Sequence, residues 1–373
     1  MRRSPVVTAL VLAVLASGCQ DAGDGGAVAT VSPSTSTSPS TSVAPPATDV
    51  DATEPATTEP ATTEPATTEP ATTEPATTEP AVPTATYEVA TLEGSVTDPA
   101  RDRQIPYLVY APVGLDGAVP LILVSHGGAG SARGHLSAPH LGTTFATGGF
   151  VAIHVGHLPS DSPGGQLGDR PADITFLLDQ LEAGAIEFPA TFTGTIDLTR
   201  VGHTGHSFGA YTSHAVAGAT YASTSGTYVD ERIDAIAPIS PQGPDQMGGF
   251  DRGPDDNTWM TVTIPSYNLI GGAEVDSNAV DSIVRPGWRL APFDRYPGTS
   301  DTFRSIIADQ THSDMWRTGS TEVQQFVAGE ILEFMRIYVA GDTSACDIGV
   351  GALTSVTLER HPAETGSLLD TCG

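Results

Sequence analysis

Residues 86–373 predict an α/β domain, with a mostly parallel sheet of about eight strands covered by helices on both faces. Three observations carry that expectation. Short apolar runs alternate with stretches whose apolar residues recur every three or four positions. One run, in PLILVSHGG, is apolar without alternation, as a strand buried on both faces must be. Histidine, serine, glycine and acidic residues collect just after the apolar runs, at the strand ends where open α/β sheets place their sites.

Taken in order, residues 87–92 and 105–110 read as an antiparallel pair turning around Asp98 and Pro99. A buried strand at 121–125, a helix at 135–147 and a strand at 150–154 follow. The helix expected at 170–182 has Pro171 at its first helical position, where no amide hydrogen is needed, and aligns Ile174, Leu177, Leu178 and Leu181 in one stripe. Strands are expected at 200–206, 233–239, 265–270 and 303–308. A closing helix at 322–339 presents Val323, Phe326, Val327, Ile331, Phe334 and Tyr338.

The region before the domain has a different composition. Residues 1–18 read as an export leader, with Arg2 and Arg3 before an apolar run at 6–16 that is too short to span a bilayer. Ala16, Ser17 and Gly18 precede Cys19, a pattern that resembles the lipobox of bacterial lipoproteins, in which the cysteine is lipidated and becomes the mature N-terminus. A lipid on Cys19 would hold the chain at a membrane face, its only expected membrane contact; without the lipid it would be secreted. Residues 19–85 are rich in Ser, Thr and Pro and include five consecutive ATTEP units at 56–80. Such sequence buries no apolar surface and reads as a disordered linker. At about 3.1 Å per residue in polyproline-like form, it would reach on the order of 200 Å, the length of a stalk through a cell envelope.

The formal charge is −28, and ten of the 44 acidic residues lie between Gln20 and Ala85, so the excess of acid extends into the domain. A nucleic-acid partner is therefore not expected. Cys346 and Cys372, both near the C-terminus of an exported chain, are expected to form a disulfide worth roughly 3 kcal/mol. The domain is read as a monomer.

The chemistry concentrates around GHTGHSFGAY at 202–211. Ser207 sits between Gly205 and Gly209, after a strand and before a small-residue helix. A nucleophilic serine must be raised on a sharp strand-to-helix turn, where neighbouring side chains would collide. His203 and His206 are read as packing or hydrogen-bonding residues. Attack on a carbonyl creates an oxyanion that needs preset N–H donors. Phe208 supplies one, and the glycine loop after the third strand supplies the other, with Gly128 preferred and Gly127 behind it.

The base and its orienting acid must follow in the chain. His312, after the strand TFRSIIAD, is the expected base. The acid belongs to the loop Ala273-Glu274-Val275-Asp276, where Asp276 is preferred over Glu274.

Together, SHGG, RPADITFLLDQL, GHSFGA, ISPQGP, GGAEVDS and the histidine loop resemble the α/β-hydrolase superfamily over about residues 100–340. Within it the likeness is to the serine-type dienelactone-hydrolase-like and platelet-activating-factor-acetylhydrolase-like group, with kinship to bacterial cutinase-like polyester hydrolases. The resemblance implies a serine esterase. It also implies an acid at Asp276 and a C-terminal Cys346–Cys372 disulfide. Dienelactone hydrolases proper carry cysteine where Ser207 stands, and the polyester hydrolases carry methionine where Phe208 stands.

A long irregular connection after Ile239 offers Phe250, Trp259 and Met260 as candidate substrate contacts. His154 and His157 lack a clustered third ligand and are read as structural or as part of the site rim, with no metal expected. No phosphate loop or cofactor fingerprint is present, and the expected chemistry uses no cofactor. The expected activity is hydrolysis of carboxylic esters, with polyester hydrolysis as one alternative and a catalytically silent binding domain as another.

Overall fold

A computed structural model describes residues 86–128, 130–160, 165–221, 227–244, 257–277, 284–342, 344, 348, 353 and 355–371. The expected leader, the linker, Cys19, Phe250, Cys346 and Cys372 lie outside them. Among the described residues, nine strands form one sheet in the order β1-β2-β4-β3-β5-β6-β7-β8-β9. The strands are β1 (Val89–Asp98), β2 (Arg103–Pro112), β3 (Ala118–Ser125), β4 (Val151–Val155), β5 (Thr195–His206), β6 (Ala235–Ile239), β7 (Ser266–Gly271), β8 (Thr302–Ile307) and β9 (Val356–His361). From β4 through β8 every neighbouring pair is parallel, while β1, β2 and β9 join antiparallel at the two edges.

The apolar run in β3 follows from its place in the centre of the sheet. Leu121 and Leu123 point into one core, with α2 (Gly165–Glu182) and α3 (Phe208–Val216). Ile122 and Val124 point into the opposite core, with α1 (Pro139–Thr147) and α5 (Thr321–Tyr338). A strand covered on both faces cannot alternate apolar with polar. Helix α5 packs Val323, Phe326, Val327, Ile331 and Phe334 into the second core, and the Ser320 hydroxyl caps its first turn by accepting from the Val323 N–H. The short helix α4 (Ala291–Asp294) lies between β7 and β8 in the chain. Among the described residues, no helix is long and apolar enough to cross a membrane.

Three departures from expectation have physical causes. A ninth strand, beyond the eight or so expected, places His361 in the sheet, where its ring stacks on Phe293 at 4.3 Å; its sequence, VTLERH, is polar because an edge strand exposes one face. The helix expected at 135–147 begins only at Pro139, since Ala138 adopts a left-handed φ of 51° that breaks it. Helix α2 starts at Gly165, so Pro171 lies inside it. A proline there leaves the carbonyl four residues earlier without its helical donor. That carbonyl, Leu167 O, instead accepts the Tyr211 hydroxyl of α3 at 2.6 Å.

Candidate active site

Ser207 joins β5 to α3 with φ 54° and ψ −115°, a conformation costly for a residue with a side chain. The flanking glycines make the turn possible. A Cβ on Gly209 would lie 2.0 Å from Ser125 O, and one on Gly205 would lie 2.6 Å from the Gly209 backbone. The Ser207 N–H donates to Ile239 O at 2.9 Å, which anchors the turn to β6. Phe208 opens α3, so its N–H has no carbonyl within the helix to bond.

The loop after β3 lies opposite. Gly127 packs so closely on Ser207 that an added Cβ would stand 3.2 Å from the Ser207 Cβ, and Gly128 has a left-handed φ of 80°. His126 fixes the peptide between the two glycines: its Nδ1 donates to Gly127 O at 2.8 Å while Nε2 accepts from the His157 N–H at 3.0 Å. Ser207, Gly127, Gly128 and His312 line one cavity of about 410 Å³, which Arg133 and Arg317 also line.

His312 follows β8. Its Nδ1 donates to Glu274 Oε2 at 2.6 Å. The partner acid is therefore Glu274 and not Asp276. A 3-10 turn at Gly272–Glu274 carries Glu274 inward, to 2 % exposure, whereas Asp276 is exposed and accepts the Gly287 N–H at 2.6 Å. Burial works to raise the Glu274 pKa, but the hydrogen bond from His312, the Arg289 charge and the Ser240 hydroxyl outweigh it and hold the carboxyl at about 2. Arg289 Nε stands 3.0 Å from Glu274 Oε2 as an ion pair, although its N–H is not aligned to donate there; its Nη1 donates to Ser240 O and Pro241 O.

His206 belongs to the support of this pair. Its Nε2 donates to His312 O at 2.7 Å and its ring stacks on Trp316. Burial, then the neighbouring His312, lowers its pKa to about 3, so it is a neutral donor. Ser207 and His312 share the cavity, but no hydrogen bond joins the Ser207 hydroxyl to the imidazole among the described residues.

Beneath the glycine loop runs a buried chain of Ser213, His203, Ser125, His157 and Asp173, with successive contacts of 2.8, 3.0, 2.9 and 3.0 Å. With both imidazoles neutral, one direction of donation runs from the Ser213 hydroxyl through to the Asp173 carboxylate, with the Ser213 hydrogen shared between His203 and Gly209 O at 3.2 Å. Both ring nitrogens of His157 are thereby occupied within the protein. His157 holds the loop from below, its carbonyl accepting the Ser131 N–H at 2.8 Å, while His154 Nδ1 donates to Ser137 O beyond the glycines.

The candidate substrate contacts separate. Trp259 is fully buried in the core beside α3, and not at the cavity, because an indole packed there buries more apolar area than the rim could. Met260 is 51 % exposed and is absent from the cavity wall. Sequence reasoning missed Arg289 and Arg170, both buried arginines; the need of a buried glutamate for a cation was the available signal for the first. Compared with family models the chain matches none, and no curated protein matches it.

Proposed function

We propose that this chain is an α/β-hydrolase-fold serine hydrolase that cleaves carboxylic esters through an acyl-enzyme. The observation that carries the reading is one cavity shared by a serine on a strained, glycine-flanked elbow and a histidine hydrogen-bonded to a buried carboxylate. The nucleophile after β5, the acid after β7, the histidine after β8 and the glycine loop after β3 agree with the order serine, acid, histidine of that fold.

In this mechanism His312 Nε2 takes the Ser207 proton as the serine oxygen bonds to the ester carbonyl, and Glu274 stabilises the imidazolium that forms. The carbonyl oxygen becomes an oxyanion held by the N–H groups of Phe208 and of Gly128 or Gly127. The carbon–oxygen bond to the alcohol breaks, and His312 returns the proton to the leaving alkoxide. Water, deprotonated by His312, then attacks the acyl carbon; the bond to the Ser207 oxygen breaks, that oxygen takes the proton back from His312, and the acid is freed. Substrate binding has to bring the Ser207 hydroxyl and His312 into hydrogen-bonding range. Catalytic hydrogen bonds are often long before substrate binds.

An acyl-enzyme site displayed on the ATTEP linker and tethered through Cys19 would act on esters outside the cell. The open Ser207–His312 contact is what favours the rival, a silent binding domain. Fluorophosphonate labelling decides between them. The esterase reading expects stoichiometric labelling and p-nitrophenyl acetate hydrolysis, both lost in Ser207→Ala; an unlabelled protein, or activity that survives the substitution, refutes it.

A further inference from the structure

We infer that Arg170 is a positioning residue that locks both halves of the oxyanion site into one unit, an inference that rests on the esterase reading above. Arg170 is fully buried in α2, an element that carries none of Ser207, Glu274 and His312. Its Nη1 donates to His126 O at 2.7 Å and its Nη2 donates to Gly128 O, so one guanidinium grips two carbonyls of the glycine loop. The guanidinium carbon also lies 4.6 Å from the centre of the Phe208 ring. One side chain thus touches both residues expected to supply the oxyanion donors.

The peptide bond makes this contact directional. In a planar trans peptide, N–H and C=O point in opposite directions. Holding His126 O against Arg170 turns the Gly127 N–H away from the guanidinium, and the His126 ring does the same for the Gly128 N–H by holding Gly127 O. Without these clamps a loop of consecutive glycines would be free to flip its peptides, and a flipped peptide presents a carbonyl where a donor is needed. Gln166 orients the clamp, accepting from Arg170 Nε at 3.0 Å.

The cost of this arrangement argues that it is retained for a purpose. Among the described residues Arg170 forms no ion pair. Asp173, one turn on, is taken up by Arg103, Arg101 and His157. A fully buried cation that hydrogen-bonds only to carbonyls, with the nearby Asp173 charge already engaged by other partners, is expensive to desolvate. Loop carbonyls alone could have been satisfied by neutral donors; the charge-assisted bonds are the stronger and more directional ones.

The test compares Arg170→Lys and Gln166→Leu with the parent. Lysine keeps the charge but cannot span two carbonyls and cover the ring, and Gln166→Leu leaves Arg170 in place while removing its orienting bond, so it serves where Arg170→Lys does not fold. Three readouts are needed: steady-state hydrolysis of p-nitrophenyl acetate, inhibition by a trifluoromethyl ketone that forms an oxyanion on Ser207, and hydrogen exchange of the peptide spanning residues 126–134. The expected result for Arg170→Lys is a fall in kcat of about 10- to 100-fold, short of losing a whole oxyanion donor, with KM within about twofold. The ketone should weaken by the same factor as kcat/KM, and the loop should exchange faster; Gln166→Leu should move all three in the same direction by less. Folded variants with kcat, ketone affinity and loop exchange within twofold of the parent overturn the inference. So does a loss of activity that leaves ketone affinity intact. A parent without Ser207-dependent hydrolysis refutes the esterase reading instead, and loop exchange, which needs no substrate, then still decides whether Arg170 holds the loop.

Discussion

Acidification to pH 5 should unfold this domain, because it buries imidazoles that the fold cannot protonate. Burial, ahead of every other influence, lowers the pKa of His126 to about 4 and of His154, His203, His206 and His214 to about 3. In the unfolded chain each returns to about 6.5. Above that pH both states are neutral and these groups contribute nothing. Between 6.5 and the folded value, only the unfolded chain takes up the proton, so stability falls as pH falls. At pH 5, about 1.5 units below 6.5, each histidine costs about 2 kcal/mol, and five of them about 10 kcal/mol. Domain stabilities are about 5–15 kcal/mol, so even half of that sum is decisive. Glu274, held at about 2, adds its own loss only at lower pH, below the usual carboxylate range. Urea titrations followed by tryptophan fluorescence at pH 7.5, 6 and 5 measure the effect, and the slope of stability against pH counts the protons. His214 bonds the Tyr296 hydroxyl at 2.6 Å and lies away from Ser207, so His214→Gln should flatten the slope by about one proton. A folding free energy that changes by less than about 1 kcal/mol between pH 7.5 and 5 would refute the reasoning.

Other substitutions separate the roles assigned above. Glu274→Gln should lower kcat by about 10²- to 10⁴-fold, as loss of a histidine-orienting carboxylate does, while Asp276→Asn should leave it within about twofold; the reverse ranking in steady-state assays would restore Asp276 as the acid. Gly209→Ala places a methyl 2.0 Å from Ser125 O and should cost at least about 1–3 kcal/mol in thermal melts while abolishing fluorophosphonate labelling. Ser207→Gly should melt above Ser207→Ala, since glycine accepts a φ of 54° that alanine does not. Trp259→Ala should cost about 3–5 kcal/mol yet leave the ranking of ester substrates by chain length unchanged, which a panel from acetyl to octanoyl esters would show.

The parts of the fold that could be read from sequence are those in which local pattern and tertiary position agree. The strand in PLILVSHGG is legible because burial on both faces removes alternation, and Ser207 because its backbone requires glycine at two fixed spacings. The acid was not legible in the same way. Glu274 and Asp276 stand two residues apart in one loop, and what separates them is a 3-10 turn together with the burial of Arg289, fifteen positions downstream in sequence and in contact only in the fold. Trp259 misled for the opposite reason: an aromatic residue in an irregular connection looks like a pocket wall, yet it fills the core under α3. Arg170 lay in plain view before Pro171, but nothing in a helical pattern tells that one of its side chains reaches across to a loop more than forty residues away.

Pro171 is more than an imperfection in α2. Because it has no hydrogen to give, the carbonyl at 167 becomes a socket, and the phenol of Tyr211 plugs into it from the helix that follows Ser207. Two helices that share no turn of backbone are thereby pinned together one turn from the guanidinium of Arg170. Restoring an amide at 171 would give the helix back its own bond and leave the phenol to compete for it, so a change that makes one helix more regular should make the neighbouring one looser.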